Sequence, residues 1–292
     1  MKKNKLLKTV AKHTAGLRNA LRVSRTELHK GRPVKKLIKR LSCRTGKNHS
    51  GRRVSLRNNG VKRFYRIIDF KRNDFEQHYK VIRKEYDPNR TTFIILVENI
   101  QTKEKKYFLC PREIKIGDIL KNTEKPIMFS YGDRSYIKNF DTGNYVYNLE
   151  LTKGRGGKLA RSAGNFVIVM KKTPKYVEIQ MPSKKRRLIP NDCLASYGSL
   201  SNSLHILERY GKASYYRYKG WKPRVSGITK NACDHPLGGH GSTLGRPAVS
   251  KTGLLSVGGK TRKKHKYSNK FILFKKKKVK KNYKLNNNKK NK

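Results

Sequence analysis

The sequence predicts a mostly β protein, with two small β-barrels between long basic N- and C-terminal arms. Seventeen of the eighteen Asp and Glu residues lie between Asp69 and Asp234. Within that window, short runs of aromatic and β-branched residues alternate with turn signals, which is typical of small all-β barrels. The flanks are almost purely cationic and contain too little apolar surface to fold alone. We therefore expect the arms to become ordered only against a polyanion.

Residues 1–60 are predicted to be the basic N-terminal arm, because glycines interrupt them and no regular periodicity persists. A first barrel is predicted over 61–120 and ends near Gly117-Asp118. Its strand candidates are Phe64–Lys71, His78–Asp87, Thr91–Asn99 and Lys106–Cys110. The turn signals Asn73-Asp74 and Asp87-Pro88-Asn89 separate these runs.

A second barrel is predicted over 121–198. Its strand candidates are Gly143–Leu151, Asn165–Met170, Tyr176–Met181 and Arg186–Pro190, with turn signals at Thr173-Pro174 and Pro182-Ser183. The last unit, 199–292, is predicted to begin with a short helix at about 200–210 and to continue as a basic, Gly-rich arm. The helix prediction rests on the spacing of Leu200, Leu204, Leu207 and Tyr210, with Gly211 as the stop.

The charge of the chain points to nucleic acid as its partner. Seventy-three Lys and Arg against eighteen Asp and Glu give a formal net charge of +55 over 292 residues. Binding to phosphates should be strong and should weaken steeply with salt. A membrane surface is the other common polyanion, but no clear amphipathic helix or lipid anchor is present, and the longest apolar runs are only strand-sized. The four cysteines form no CxxC pair.

A glycine-rich cationic segment, Lys153-Gly154-Arg155-Gly156-Gly157-Lys158, could hold backbone close to a phosphate. It is not a nucleotide-binding P-loop, because the GxxxxGK spacing is absent and Leu159 stands where a magnesium-binding Ser or Thr is needed. A flexible turn between strands is the plain alternative. A second segment interleaves rings and cations from Tyr215 to Lys222 and suits stacking on unpaired bases. Its alternative is the edge of a core strand.

The densest polar cluster surrounds Cys233, Asp234, His235 and His240. The spacing fits no common metal site, so no metal or other cofactor is predicted. Asp234 beside His235 could orient an imidazole for acid–base chemistry, but no nucleophile or paired carboxylates accompany it. We therefore predict that the chain is not an enzyme and that His235 is a hydrogen-bonding partner of RNA.

Several collinear segments together resemble the universal large-subunit ribosomal protein two family, in its bacterial form. They are Glu27–Pro33, Tyr65–Asn73, Glu85–Arg90, Lys158–Gly164, Asp234-His235-Pro236 with the glycines that follow, and Gly259–Arg262. The likeness covers roughly 12–275 in this numbering. Two departures are Leu237, where the family usually has His, and His240 in place of a third Gly. The segment 121–142 matches poorly, and the Lys- and Asn-rich tail is an addition.

The resemblance implies an oligonucleotide-binding-type barrel followed by an SH3-like barrel, with arms threaded into large-subunit RNA near the peptidyl-transferase centre. It also implies a part in subunit association and tRNA binding. The partners would be large-subunit ribosomal RNA, neighbouring ribosomal proteins and the small subunit, with no membrane. The alternative is a non-ribosomal, sequence-tolerant nucleic-acid-binding protein, and an enzyme with His235 as the acid–base group in peptidyl transfer is a third class.

Basic and aromatic side chains in the matching or glycine-rich segments are the predicted RNA-binding residues. They are Arg52, Arg53, Lys62, Arg63, Tyr65, Arg66, Lys71, Arg72, Arg90, Lys153, Arg155, Lys158, Arg161, Arg217, Trp221, Lys222, Arg224, His235, His240, Arg246, Lys260, Arg262 and Lys263.

Composition also bears on localisation. Lys, Asn, Ile, Tyr and Phe, which have AT-rich codons, are abundant, and only about eleven residues precede the likeness, which is short for a cleavable presequence. We predict a ribosomal protein encoded and used inside a mitochondrion, with a plastid or the cytoplasm of an AT-rich bacterium as alternatives.

Overall fold

The computed structural model describes residues 7–41, 60–126, 128–239, 247–259, 262–263 and 265–273. Five of the predicted RNA-binding residues lie outside the described residues: Arg52, Arg53, His240, Arg246 and Lys260.

The N-terminal segment contains short strands that pack on the rest of the chain. Strands β1 (Leu7–Thr9) and β2 (Leu21–Val23) pair antiparallel, and β3 (Ile38–Arg40) pairs with β4 (Phe64–Arg66). Backbone hydrogen bonds join His29 to Lys84 (2.8 Å) and Leu21 to Arg209 (2.9 Å). The expectation that the whole arm is ordered only on a polyanion is therefore wrong for this part of the chain.

The first barrel contains a four-stranded antiparallel sheet in the order β7-β6-β5-β8. Its strands are β5 (His78–Glu85), β6 (Ile94–Asn99), β7 (Lys105–Leu109) and β8 (Ile119–Lys121). Strand β6 is apolar on both faces, which is why its sequence shows no polar alternation. Ile95 and Val97 fill the core of this barrel, and Ile94 and Leu96 pack into the core of the second barrel.

The second barrel contains a seven-stranded sheet in the order β15-β13-β12-β11-β10-β14-β9. The strands are β9 (Arg134–Tyr136), β10 (Tyr145–Tyr147), β11 (Val167–Lys172), β12 (Tyr176–Gln180), β13 (Arg186–Pro190), β14 (Leu194–Tyr197) and β15 (Ile272–Leu273). Strand β15 comes from the predicted C-terminal arm and pairs with Arg186 and Arg187 of β13. The fold is thus mostly β, as predicted, with an oligonucleotide-binding-type barrel and an SH3-like barrel.

Two buried arginines form a polar layer where the barrels meet. The Nη groups of Arg72 donate to the Gly132 carbonyl (2.9 Å) and Asn122 Oδ1 (2.6 Å). Those of Arg134 donate to the carbonyls of Asn148 (3.1 Å) and Phe70 (3.3 Å), among other acceptors. Burial, and then the neighbouring Arg72 charge, lower the pKa of Arg134 to about 10, so the Arg134 guanidinium remains charged at neutral pH. We call this pair the inter-barrel arginine layer.

The helix predicted at about 200–210 is wrong. Asn202 has a left-handed backbone (φ 62°), which an α-helix does not accommodate, and only a 3₁₀ helix forms, at Ser203–Leu207. Leu200 is fully buried but bridges to Pro111 of the first barrel instead of starting a helical face. The α-helix lies later, as α1 (Ala213–Tyr218), inside the segment of interleaved rings and cations.

Candidate nucleic-acid interface

Two aspartates close turns that position the cations of the first barrel. Asp69 Oδ1 accepts hydrogen bonds from the N–H groups of Lys71 (2.8 Å) and Arg72 (3.0 Å). The fully buried Asp87 accepts from the Asn89 N–H (2.8 Å) and from Arg90 Nε (2.6 Å). Asp and Asn commonly stabilise turns through such side-chain-to-backbone bonds. Two segments that resemble the ribosomal family are therefore turns that orient cationic side chains.

A groove of about 840 Å³ lies between the N-terminal segment, the entry to the first barrel and helix α1. We call it the first groove. Its basic and aromatic members are Arg22, Arg25, Lys62, Arg63, Phe64, Arg66, Tyr86, Arg90, Phe93, His205, Tyr210, Tyr215, Tyr218, Lys219 and Trp221. The structure thus brings together five predicted residues: Lys62, Arg63, Arg66, Arg90 and Trp221.

The wall of the first groove depends on a close approach between two chain segments. The Val61 N–H donates to the Tyr218 carbonyl (2.9 Å), which ties the entry of the first barrel to the end of α1. Gly60 has φ +63°, and a Cβ there would collide with the backbone at Tyr218 and Gly220. Glycine is therefore the residue that this crossing requires.

A second groove, of about 580 Å³, adjoins the first at Asn89, Arg90 and Thr91. It runs across to the second barrel and is lined by four further aromatic and basic side chains: Tyr65, Phe70, Lys158 and Arg161. The Arg161 guanidinium lies over the Phe70 ring at 4.7 Å, and Arg90 lies 5.5 Å from the same ring. Residues far apart in the sequence thus form one cationic surface across both barrels.

The glycine-rich segment is a loop whose backbone is held by hydrogen bonds to a buried carboxylate. The buried Glu150 carboxylate accepts hydrogen bonds from the N–H groups of Gly156 (2.9 Å), Gly154 (3.3 Å) and Leu194 (3.3 Å), and pairs with Arg134 at 3.5 Å. The loop exposes Lys153, Arg155 and Lys158 to solvent.

Arg155 and Lys71 line a third groove beside the first barrel, together with Lys105 and Lys106. The remaining predicted cations in the described part of the chain are exposed and line none of these grooves: Arg217, Lys222, Arg224, Arg262 and Lys263.

Arg72 is the prediction that the geometry overturns. Its side chain is 2% exposed, and it donates to Gly132 and Asn122 while lying 4.3 Å from the Phe108 ring. A phosphate cannot reach a guanidinium enclosed in this way. Arg72 supports the contact between the barrels and is not part of the candidate nucleic-acid interface.

His235 is half-buried and its ring is fixed within its own loop. The Leu237 N–H donates to His235 Nδ1 (3.1 Å), so the neutral ring carries its proton on Nε2. Gly227 lies against the imidazole, and a Cβ at that position would collide with the ring. Among the described residues no carboxylate hydrogen-bonds to this ring, which leaves Asp234 without the orienting role considered above. The position of His235 suits a single donated hydrogen bond from Nε2.

Sequence reasoning missed Arg22 and Arg25, which the first groove contains. Lys219, also in this groove, lies inside the predicted segment of interleaved rings and cations but was not among the predicted RNA-binding residues. Arg22 lies over the Tyr215 ring (4.0 Å) and Arg25 over the Tyr86 ring (3.8 Å). Lys219 Nζ contacts the Tyr210 hydroxyl, and burial lowers the pKa of Lys219. The available signal was the cationic composition of the arm, but nothing in the sequence shows which of its cations meet the aromatic segment.

The described residues contain no cluster of three or more His, Cys, Asp or Glu side chains that could hold a metal ion. In the same part of the chain, every helix is too short or too polar to cross a membrane.

Two small β-barrels that share a cationic and aromatic surface define a nucleic-acid-binding protein. The family models identify the kind more closely. The model "Ribosomal Proteins L2, RNA binding N-terminal domain" matches residues 34–122, and "Ribosomal Proteins L2, C-terminal domain" matches residues 130–253. The chain belongs to the ribosomal protein L2 family.

Curated relatives agree over nearly the whole length. The chain is 41% identical over 267 residues to large ribosomal subunit protein uL2 of Rickettsia akari, which covers 90% of this chain and 97% of that protein. It is 40% identical over 274 residues to the same protein of Rickettsia bellii, covering 93% and 99%. For Ruegeria pomeroyi the identity is 38% over 270 residues, covering 91% and 96%.

Proposed function

We propose that this chain is a structural constituent of a large ribosomal subunit and binds ribosomal RNA through its joined grooves and through the predicted cations outside them. The observation that carries the proposal is the first groove and its continuation onto the second barrel. Seven Lys and Arg line the first groove against one carboxylate, Glu208. That carboxylate already accepts from the Val23 N–H (3.3 Å) and pairs with His205 (2.8 Å). The groove therefore offers cationic charge to phosphates.

The barrels supply rigidity and the cations supply affinity. Phosphate contacts fix the register of a protein on its nucleic acid, and aromatic rings stack on unpaired bases of RNA. Lys158 and Arg161 of the second barrel continue the surface of Arg90 in the first barrel, so one RNA segment can contact both barrels. The other exposed cations among the predicted residues are proposed to bind further phosphates: Lys153, Arg155, Arg217, Lys222, Arg224, Arg262 and Lys263.

The role of the chain is structural, and it is not an enzyme. His235 is proposed to position RNA through Nε2, because Nδ1 is occupied by the Leu237 N–H. Within the subunit, we place this loop near the peptidyl-transferase centre and assign the protein a part in subunit association and tRNA binding. Its partners are large-subunit RNA, neighbouring ribosomal proteins and, through an intersubunit contact, the small subunit.

The domain boundaries belong to the same proposal: 1–60, 61–120, 121–198 and 199–292. The match to the N-terminal family model ends at residue 122 and the match to the C-terminal model begins at residue 130, which supports a division between the barrels near 120. The pairing of β3 with β4 argues that the last residues of the first unit work together with the first barrel.

The protein works at the ribosome. A mitochondrial ribosome is the proposed location, on the grounds of the AT-type composition, with a bacterial or plastid ribosome as the alternative. The relatives named above are bacterial proteins, and this supports the bacterial alternative. Immunogold labelling or fractionation of the source cells separates these locations.

Cosedimentation tests the function itself. A tagged chain expressed in its source cells should sediment with large subunits and with whole ribosomes, and crosslinked RNA should map to large-subunit RNA. A non-ribosomal nucleic-acid binder would instead spread over unrelated sequences and would leave the ribosomal fractions.

A further inference from the structure

Three arginines of the first groove have buried donor atoms without an acceptor. Arg22 Nε and Nη2, Arg63 Nε and Arg66 Nε are shielded from solvent and have no hydrogen-bond partner among the described residues. Arg66 makes one bond, from Nη1 to the Phe64 carbonyl (3.0 Å). A shielded guanidinium donor without an acceptor is unfavourable, and an anion relieves that cost. These donors point to a ligand that carries an anionic oxygen.

Exposed aromatic rings line the same groove. Phe64 is 48% exposed, Tyr218 is 59% exposed and Trp221 is 41% exposed. Partly exposed rings next to cations suit a planar base attached to a phosphate. The groove volume, about 840 Å³, lies within the range of roughly 300–1,000 Å³ that is typical of pockets for small organic ligands.

We propose that the first groove is a binding site for an unpaired RNA nucleotide, with Arg22, Arg63 and Arg66 donating to phosphate and Phe64, Tyr218 and Trp221 contacting the base. This inference rests on the proposed function and names the kind of RNA segment that the groove takes. A base inside a duplex has both faces covered by its neighbours, so it cannot stack on protein rings. The groove should therefore take a bulged or single-stranded nucleotide.

The chain provides its own reporter for this site. Trp221 is the only tryptophan in the sequence, and it lines the first groove. Its fluorescence therefore reports on the groove. The full chain is titrated with a single-stranded RNA of six adenosines, with a twelve-base-pair RNA duplex at equal phosphate concentration, and with heparin as a polyanion without bases.

We expect saturable quenching by the hexanucleotide, and at least tenfold weaker quenching by the duplex and by heparin. The combined variant Arg22→Ala, Arg63→Ala, Arg66→Ala should weaken hexanucleotide binding at least tenfold. A second variant, Arg22→Lys, Arg63→Lys, Arg66→Lys, keeps the charge but loses the guanidinium donors. Its affinity for the hexanucleotide should lie between those of the wild type and the alanine variant.

The matched control removes three exposed lysines of the second barrel that line none of the grooves: Lys171→Ala, Lys175→Ala and Lys185→Ala. It should bind the hexanucleotide like the wild type. Circular dichroism checks that each variant is folded. If one does not fold, zero-length ultraviolet crosslinking of the hexanucleotide to the wild-type chain replaces it, and crosslinks at Phe64, Tyr218 or Trp221 are expected.

Equal quenching by duplex and hexanucleotide, unchanged binding by the arginine variants, or crosslinks only outside the groove would overturn the inference. Cosedimentation with ribosomes is measured on the same proteins. If the chain joins ribosomes but the groove shows no preference for unpaired RNA, this inference alone fails. If the groove binds the hexanucleotide but the chain does not join ribosomes, the proposed function fails.

Discussion

The inter-barrel arginine layer and the first groove use the same side chain in opposite ways. In the layer, the Nη groups of Arg72 and Arg134 donate to backbone carbonyls and polar side chains, and only each Nε lacks a partner. In the groove, the buried Nε and Nη2 of Arg22 and the buried Nε of Arg63 have no hydrogen-bond partner among the described residues. The first pair is enclosed by protein, and the second pair borders a cleft of about 840 Å³.

The difference shows that charge and residue type do not distinguish an RNA-binding arginine from a structural one. The hydrogen-bond acceptors that surround the guanidinium make this distinction. Where buried carbonyls and carboxylates supply the acceptors, the arginine stabilises the fold. Where acceptors are missing beside an open cleft, an external anion is expected to supply them.

The largest expected effect is the salt dependence of RNA binding. If about ten phosphates are neutralised, the slope of log affinity against log salt should be of order −7 to −9, and affinity should fall roughly 10⁴–10⁵-fold between 50 and 200 mM. Filter binding of large-subunit RNA over that salt range measures the slope. A slope near −1 would mean that the cations of this chain do not act on phosphates.

The second-largest effect is expected when an arginine of the inter-barrel layer is removed. Arg134→Ala leaves the fully buried Glu150 without its cation, and breaking such a buried pair typically costs about 3–5 kcal/mol of unfolding free energy. Urea denaturation followed by circular dichroism measures this loss. The control is Arg186→Ala on the surface of β13, whose pairing with Glu178 (3.0 Å) should contribute about 0–1 kcal/mol. Equal effects of the two variants would contradict a structural role for the layer.

The smallest effect is expected at His235. His235→Gln keeps a hydrogen-bond donor and removes the titratable ring, so fully assembled particles should form peptide bonds at a near-normal rate. His235→Ala should mainly reduce assembly, because it removes the ring that packs on Gly227 and accepts from Leu237. Single-turnover peptide-bond formation on purified particles measures the rate. A loss of about a hundredfold or more for His235→Gln, the scale of a general acid–base group, would support catalysis instead.

Much of the fold could be predicted because local patterns and tertiary packing agree. Strand β13 has the bounds that its sequence run predicts, and β5, β6 and β12 differ by only a few residues. The three-residue strands β8 and β9 could not be found, since so short a run has no recognisable period. Helix α1 was missed because its tyrosines favour strands, and the predicted helix before it fails at the left-handed Asn202.

The candidate site could be predicted as a set of cations but not as a surface. The motifs around Asp69 and Asp87 selected Lys71, Arg72 and Arg90 together, although only the fold shows that Arg72 turns inward. Arg22 meets the aromatic segment through a pairing of Leu21 with Arg209, a contact between residues nearly two hundred positions apart. Contacts at that separation leave no local signal in one sequence.

The most direct test of this account compares the salt slopes of the groove variant and its control. Each phosphate contact contributes about 0.7–0.9 to the magnitude of the slope, so losing Arg22, Arg63 and Arg66 together should reduce it by about 2–3. The variant Lys171→Ala, Lys175→Ala, Lys185→Ala should keep the slope of the wild type. Equal slopes for the wild type and the groove variant, measured on folded proteins with the same large-subunit RNA, would show that these arginines do not bind phosphate and would contradict the account.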